Sequence, residues 1–92
     1  MHRSIIADYD DLRDALYIHV GDARPSEGKR AGNGFIVRCP LNNPQNALGV
    51  VVMDFVRNGR ASDLTELAPS IADLLSVDRG EVFFALRPYR GR

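Results

Sequence analysis

The sequence predicts an α+β fold: an antiparallel meander of four to five strands with one helical segment on one face, in the order β-β-β-β-α-β. Three observations predict it. Ala47 to Phe55 (A-L-G-V-V-V-M-D-F) is the most continuously apolar run, and its three adjacent valines resist helix because a β-branched side chain loses χ1 freedom against the preceding turn. Short β-branched or aromatic runs recur along the chain between clusters of Gly, Pro, Asn and Asp. Only one region, Ser62 to Ser76, carries apolar residues at helical spacing.

Ninety-two residues make one domain. A chain of this size buries somewhat more than ~60% of its unfolded surface, enough for one modest core. The apolar fraction of 45% suits a folded globule rather than a disordered chain. Twelve basic and twelve acidic residues cancel, so no global charge draws the chain to nucleic acid or an anionic membrane. The same balance leaves little repulsion between copies. Eleven of the basic residues are arginines; the only lysine is Lys29. One cysteine, Cys39, excludes a disulfide within the chain. With no signal-like leader and no apolar run of ~20 residues, a cytoplasmic protein without a membrane span is expected.

The elements follow in order. Ser4 to Ala7 reads as the first strand, and Asp8 to Asp14 as an acidic turn, since Asp bonds to nearby backbone N–H groups. Ala15 to Val20 is the second strand, with Leu16, Ile18 and Val20 on one face and Ala15, Tyr17 and His19 on the other. Gly21 to Gly34 reads as a long loop and Phe35 to Cys39 as the third strand. Pro40 to Asn46 is turn chemistry. Ala47 to Phe55 is the fourth strand, apolar on both faces: Leu48, Val50 and Val52 on one, Val51, Met53 and Phe55 on the other. Asp54 alone interrupts it, and Asn58-Gly59 turns the chain. Asp63 and Glu66 have capping-box spacing at the start of the helical region, and Pro69 predicts a break or a second helix start. Glu81 to Leu86 reads as a fifth strand, apolar on both faces, and Arg87 to Arg92 as a frayed basic tail.

Tyr9-Asp10, Asp14 and Leu16-Tyr17-Ile18, followed by Gly34-Phe35-Ile36-Val37 and Leu48-Gly49-Val50-Val51-Val52-Met53-Asp54, resemble in order and spacing a small bacterial family, domain of unknown function 2283. The resemblance covers roughly residues 4 to 56. It departs at Pro40 to Asn46, where the family has an acidic, glycine-containing turn, and at Val51, where it often has glutamate. Some members lie beside small toxin-like genes, so the resemblance implies an antitoxin-like or partner-binding role. It carries over no catalytic residue.

Candidate chemistry is sparse. Asp8, Asp10, Asp11 and Asp14 form the densest carboxylate cluster; hard cations take such oxygens, but the spacing fails the calcium-loop pattern and suits a capped turn. His2, His19 and Cys39 are too few for a structural zinc site, and a Cys39–His19 nucleophile–base pair requires both on one face. Gly28 to Gly34 lacks the glycine spacing and the Ser or Thr of a phosphate loop. No catalytic, cofactor or metal residue is assigned.

A single helical segment cannot cover both faces of a sheet with two doubly apolar strands. The expectation is therefore a non-enzymatic interaction module, most simply a homodimer, with Tyr17, Val51, Met53, Phe55, Phe83 and Phe84 as interface candidates. Two rivals are weighed. One is nucleic-acid binding through Lys29, Arg30, Arg87 and Arg90. The other is a small metal-dependent enzyme using the Asp8–Asp14 cluster.

Overall fold

The valine run lies where two apolar faces require it, at the centre of a sheet. The computed structural model describes residues 4–21, 26–32, 34–43 and 46–92. Five strands, β1 (Ile5–Asp10), β2 (Ala15–Val20), β3 (Ser26–Arg30), β4 (Phe35–Pro40) and β5 (Gly49–Met53), precede two helices, α1 (Leu64–Leu75) and α2 (Arg79–Leu86). The sheet order is β1-β2-β5-β4-β3, and every neighbouring pair is antiparallel. The α+β class and the antiparallel sheet are as expected; the order of elements is not.

Three corrections follow. First, the sheet is not a simple meander: β5 inserts between β2 and β4, so β2 and β3, consecutive in the chain, are not neighbours. Second, part of the expected Gly21–Gly34 loop is a strand. β3 is polar and exposed, and it is held by its backbone ladder to β4 and by Arg38, which donates from Nε to Ser26 Oγ (2.9 Å) and from its terminal nitrogen to the Ser26 carbonyl (3.1 Å). Charge on such an edge strand discourages further pairing. Third, Glu81 to Leu86 is helix, not strand, so the chain ends α-α rather than α-β. The Asp78 side chain accepts from the Glu81 N–H (2.9 Å). Val77 and Val82 flank this cap at the hydrophobic-staple positions, and Val82 and Leu86, four apart, are both buried.

α1 runs unbroken through Pro69, where the sequence predicts a break or a second helix start. An interior proline costs ~3 kcal/mol. Against it stand Leu64, Leu67, Ile71 and Leu75, all buried on one stripe, each contributing ~1.5–3 kcal/mol. The stripe outweighs the proline. The capping box expected from Asp63 and Glu66 does not form; the Asp63 side chain makes no cap.

Both helices pack on the same face of the sheet. Their apolar side chains meet Leu16, Ile18, Phe35, Val50 and Val52 in one core, with Ile5, Ala7 and Tyr9 of β1 at its margin. Phe55 joins this core fully buried, its ring 5.6 Å from that of Tyr9. This corrects the expected grouping of Phe55 with Val51 and Met53. β5 ends at Met53, and Asp54 adopts a left-handed backbone (φ 54°), which resets the two-residue alternation and turns Phe55 inward.

The C-terminal segment folds back on the sheet and helices through three sets of contacts. The Tyr89 hydroxyl donates to the Ala7 carbonyl (2.9 Å), Gly91 N–H donates to the Ala61 carbonyl (2.9 Å), and the Arg92 guanidinium lies 5.8 Å from the Tyr9 ring centroid and 5.7 Å from that of Tyr89. Among the described residues no helix is long and apolar enough to cross a membrane.

Candidate interaction surface

Alternation along each strand sends every second side chain away from the helices, and the strand register assembles those side chains into rows. The central row runs Asp8 (β1), Tyr17 (β2), Val51 (β5), Ile36 (β4), Arg30 (β3). Beside it runs Ile6, His19, Gly49, Arg38, Gly28, and on its other side Ala15 is paired with Met53. Neither helix covers this face. Ile6 is 45% and Tyr17 36% exposed, while Val51, at the centre, is 5% exposed because its own row closes over it.

The face is not flat. A depression of about 220 Å³ opens beside Gly49, bordered by Tyr17, His19, Ser26, Arg38, Pro40 and Leu48. Gly49 lets the neighbouring backbone approach: a Cβ there would stand 3.2 Å from the Ile18 carbonyl oxygen and 3.6 Å from the Cβ atoms of His19 and Arg38. This is the close approach that a glycine within a strand signals. His19 Nδ1 lies 2.8 Å from the Gly21 carbonyl, which only accepts, so Nδ1 carries the proton.

Of the interface candidates, Tyr17, Val51 and Met53 share this face. Phe55 lies in the core. Phe83 and Phe84 sit on α2, away from the open face: Phe83 packs against the core margin, and Phe84 is 70% exposed with the Arg87 guanidinium 5.6 Å from its ring. Sequence reasoning missed Ile6 and Ile36. The alternation Ile5-Ile6-Ala7-Asp8 in a hairpin with β2 was the available signal for Ile6.

The basic candidates do not converge. Lys29 and Arg30 belong to edge strand β3; Arg87 and Arg90 follow α2, which packs toward β1 at the opposite edge. Four strand spacings, ~19 Å, separate the two edges.

Within the acidic cluster, Asp14 clamps two turns together. The Asp14 carboxylate accepts from the Tyr9 hydroxyl (2.7 Å) and from the N–H groups of Val56 (2.8 Å) and Arg57 (3.0 Å), while its backbone carbonyl accepts from Phe55 N–H (3.0 Å). Partial burial disfavours the Asp14 charge, but these three donors and the nearby Arg57 outweigh it and hold the carboxyl below its ordinary range. The bond to Asp14 pushes the Tyr9 hydroxyl up to about 12. Asp10 accepts from Leu12 N–H (3.0 Å), Arg13 N–H (3.3 Å) and the Arg13 guanidinium (2.9 Å), and its carboxyl is lowered chiefly by Arg13. Among the described residues, no three His, Cys, Asp or Glu side chains converge on a point. His19 faces the open side, whereas Cys39, next to Arg38 in β4, points to the other, so the two do not pair. His2 and Asn33 lie outside the described residues. Asp54 ends β5 and lies 3.9 Å from the Arg57 guanidinium.

Compared with protein-family models, curated proteins and solved structures, the chain gives no match.

Proposed function

We propose that this chain is a non-enzymatic interaction module that self-associates through the open face of its sheet. One observation carries the reading: α1 and α2 both lie on one face, leaving Ile6, Tyr17, Ile36, Val51 and Met53 on a face with no covering layer among the described residues. A contiguous apolar patch framed by polar groups marks a partner site. The zero net charge favours association of like with like. The resemblance of residues 4 to 56 to domain of unknown function 2283 supports a partner-binding rather than a catalytic role, antitoxin-like in kind.

Of the carboxylates that an enzyme reading requires, Asp14 and Asp10 are engaged by donors in the turns, and among the described residues the cluster does not converge on a point; the separation of the two basic groups argues against a single nucleic-acid surface. Size-exclusion chromatography with light scattering is the test. The expected result is a mass moving from one copy toward two as concentration rises through the micromolar range. A single-copy mass throughout defeats the reading.

A further inference from the structure

The open face carries charge at its two ends, and that distribution selects one way for two copies to meet. In the central row Asp8 stands on edge strand β1 and Arg30 on edge strand β3, with Tyr17, Val51 and Ile36 between. Both end residues are exposed, and neither forms an ion pair among the described residues.

Two identical faces meet about a two-fold axis lying in the plane of contact. If that axis runs across the strands, β1 lies over β1 and β3 over β3. Asp8 then confronts Asp8 and Arg30 confronts Arg30, which is repulsive at both ends. If it runs along β5, the strand order reverses, β1 lies over β3 of the other copy, and each Asp8 meets an Arg30. β5 is the middle strand, so it then lies over its own counterpart. Resting on the self-association proposed above, we infer that the chain forms a symmetric dimer whose axis runs along β5, with Asp8 of each copy paired to Arg30 of the other.

Shape agrees with charge. The same axis sets Ile6, in the second row, over Gly28 of the other copy. Gly28 offers no side chain, and a Cβ there would come 3.0 Å from Ile36 Cγ2, so the position is a notch opposite an exposed isoleucine. Aligned sheets cross at about 30°. Two strands from the axis, ~10 Å away, that angle displaces the end residues by about 5 Å, within the reach of an arginine. The face measures roughly 24 by 18 Å, so the dimer buries about 900 Å² in all, the size of a weak, reversible contact.

Sedimentation equilibrium from about 5 to 300 µM brackets that regime. It is run on the unaltered chain, on Asp8→Arg, on Arg30→Asp, on the double reversal and on an equimolar mixture of the two single variants. Each single reversal is expected to weaken association at least about tenfold, a gap that narrows in 0.5 M salt. The double reversal and the mixture are expected to return to within about threefold of the unaltered chain. Circular dichroism melts check that each variant folds; should Asp8→Arg not fold, Arg30→Asp and Asp8→Asn carry the comparison. A dimer indifferent to single reversal, or a double reversal that does not recover, overturns the axis and leaves self-association standing. So does a mixture associating tenfold more tightly than the unaltered chain, which is the signature of the crossed axis. A monomer at every concentration overturns both.

Discussion

Val51 and Val52 are chain neighbours with the same side chain, yet they are buried in different ways. Val52 is fully buried beneath the helices. Val51 is 5% exposed on a face no helix covers, closed over by Tyr17 and Ile36 in its own row. Burial at the middle of a sheet face therefore says little about whether a second layer lies on it. The cross-strand partners of the two valines are more informative: Leu16 and Phe35 beside Val52 are nearly inaccessible, whereas Tyr17 beside Val51 is more than a third exposed.

The adjacent pair Leu16 and Tyr17 separates the two faces most strongly. Leu16→Ala leaves a cavity in the helix-covered core and is expected to cost about 3 kcal/mol. Tyr17→Ser is expected to cost within about 1 kcal/mol while weakening self-association. Urea denaturation of dilute protein measures the first effect and light scattering the second. Equal destabilisation by the two would mean that the faces do not differ.

A smaller effect is expected at the end of the sheet, where Asp14 clamps the turn after β5 against the hairpin. Asp14→Ala removes three hydrogen bonds and is expected to cost about 2 kcal/mol in thermal or urea unfolding. The carboxyl is lowered in the folded chain, so its contribution is complete above the unfolded value, about pH 4, and is lost as pH falls through the folded value. Asp14→Asn, which tolerates the left-handed backbone at this position (φ 50°), should flatten the acid limb of the stability curve. The smallest effect belongs to Tyr9. Its hydroxyl is raised to about 12, so its contribution is complete below the unfolded value near 10 and fades as pH rises between the two. Tyr9→Phe should show no such decline over that window; a decline unchanged in Tyr9→Phe would place its cause elsewhere.

The elements legible in the sequence were those with long apolar patterns. The runs around Leu16 and Val51 and the stripe from Leu64 to Leu75 declared their types through period and composition. β3 was hidden because it contributes backbone pairing and almost no apolar surface; Ser26 to Arg30 looks like a loop unless its partner strand is known. α2 resembles a strand in sequence because V-F-F after Gly80-Glu81 is apolar on both faces, although Asp78 with Glu81 and Val77 with Val82 have the spacing of a helix start. The open face was half legible. Tyr17, Val51 and Met53 follow from alternation alone. Phe55 does not, because a single left-handed residue at Asp54 shifts the phase, and no property of one aspartate announces that. Ile36 and the Asp8–Arg30 arrangement depend on strand order, which insertion of β5 between β2 and β4 decides.

That insertion also divides the sheet into local and long-range pairings. β1–β2 and β3–β4–β5 are each joined to their neighbours by nearby segments of chain and close locally. The seam between them, Ala15 with Met53 through His19 with Gly49, closes only when distant parts of the chain meet, and the core face of the sheet is incomplete until it does. The Asp14 clamp bridges that same seam, from the end of the hairpin to Val56 and Arg57. The β2–β5 seam therefore carries the largest loop-closure cost in the sheet, and weakening it is expected to slow refolding in stopped-flow measurements.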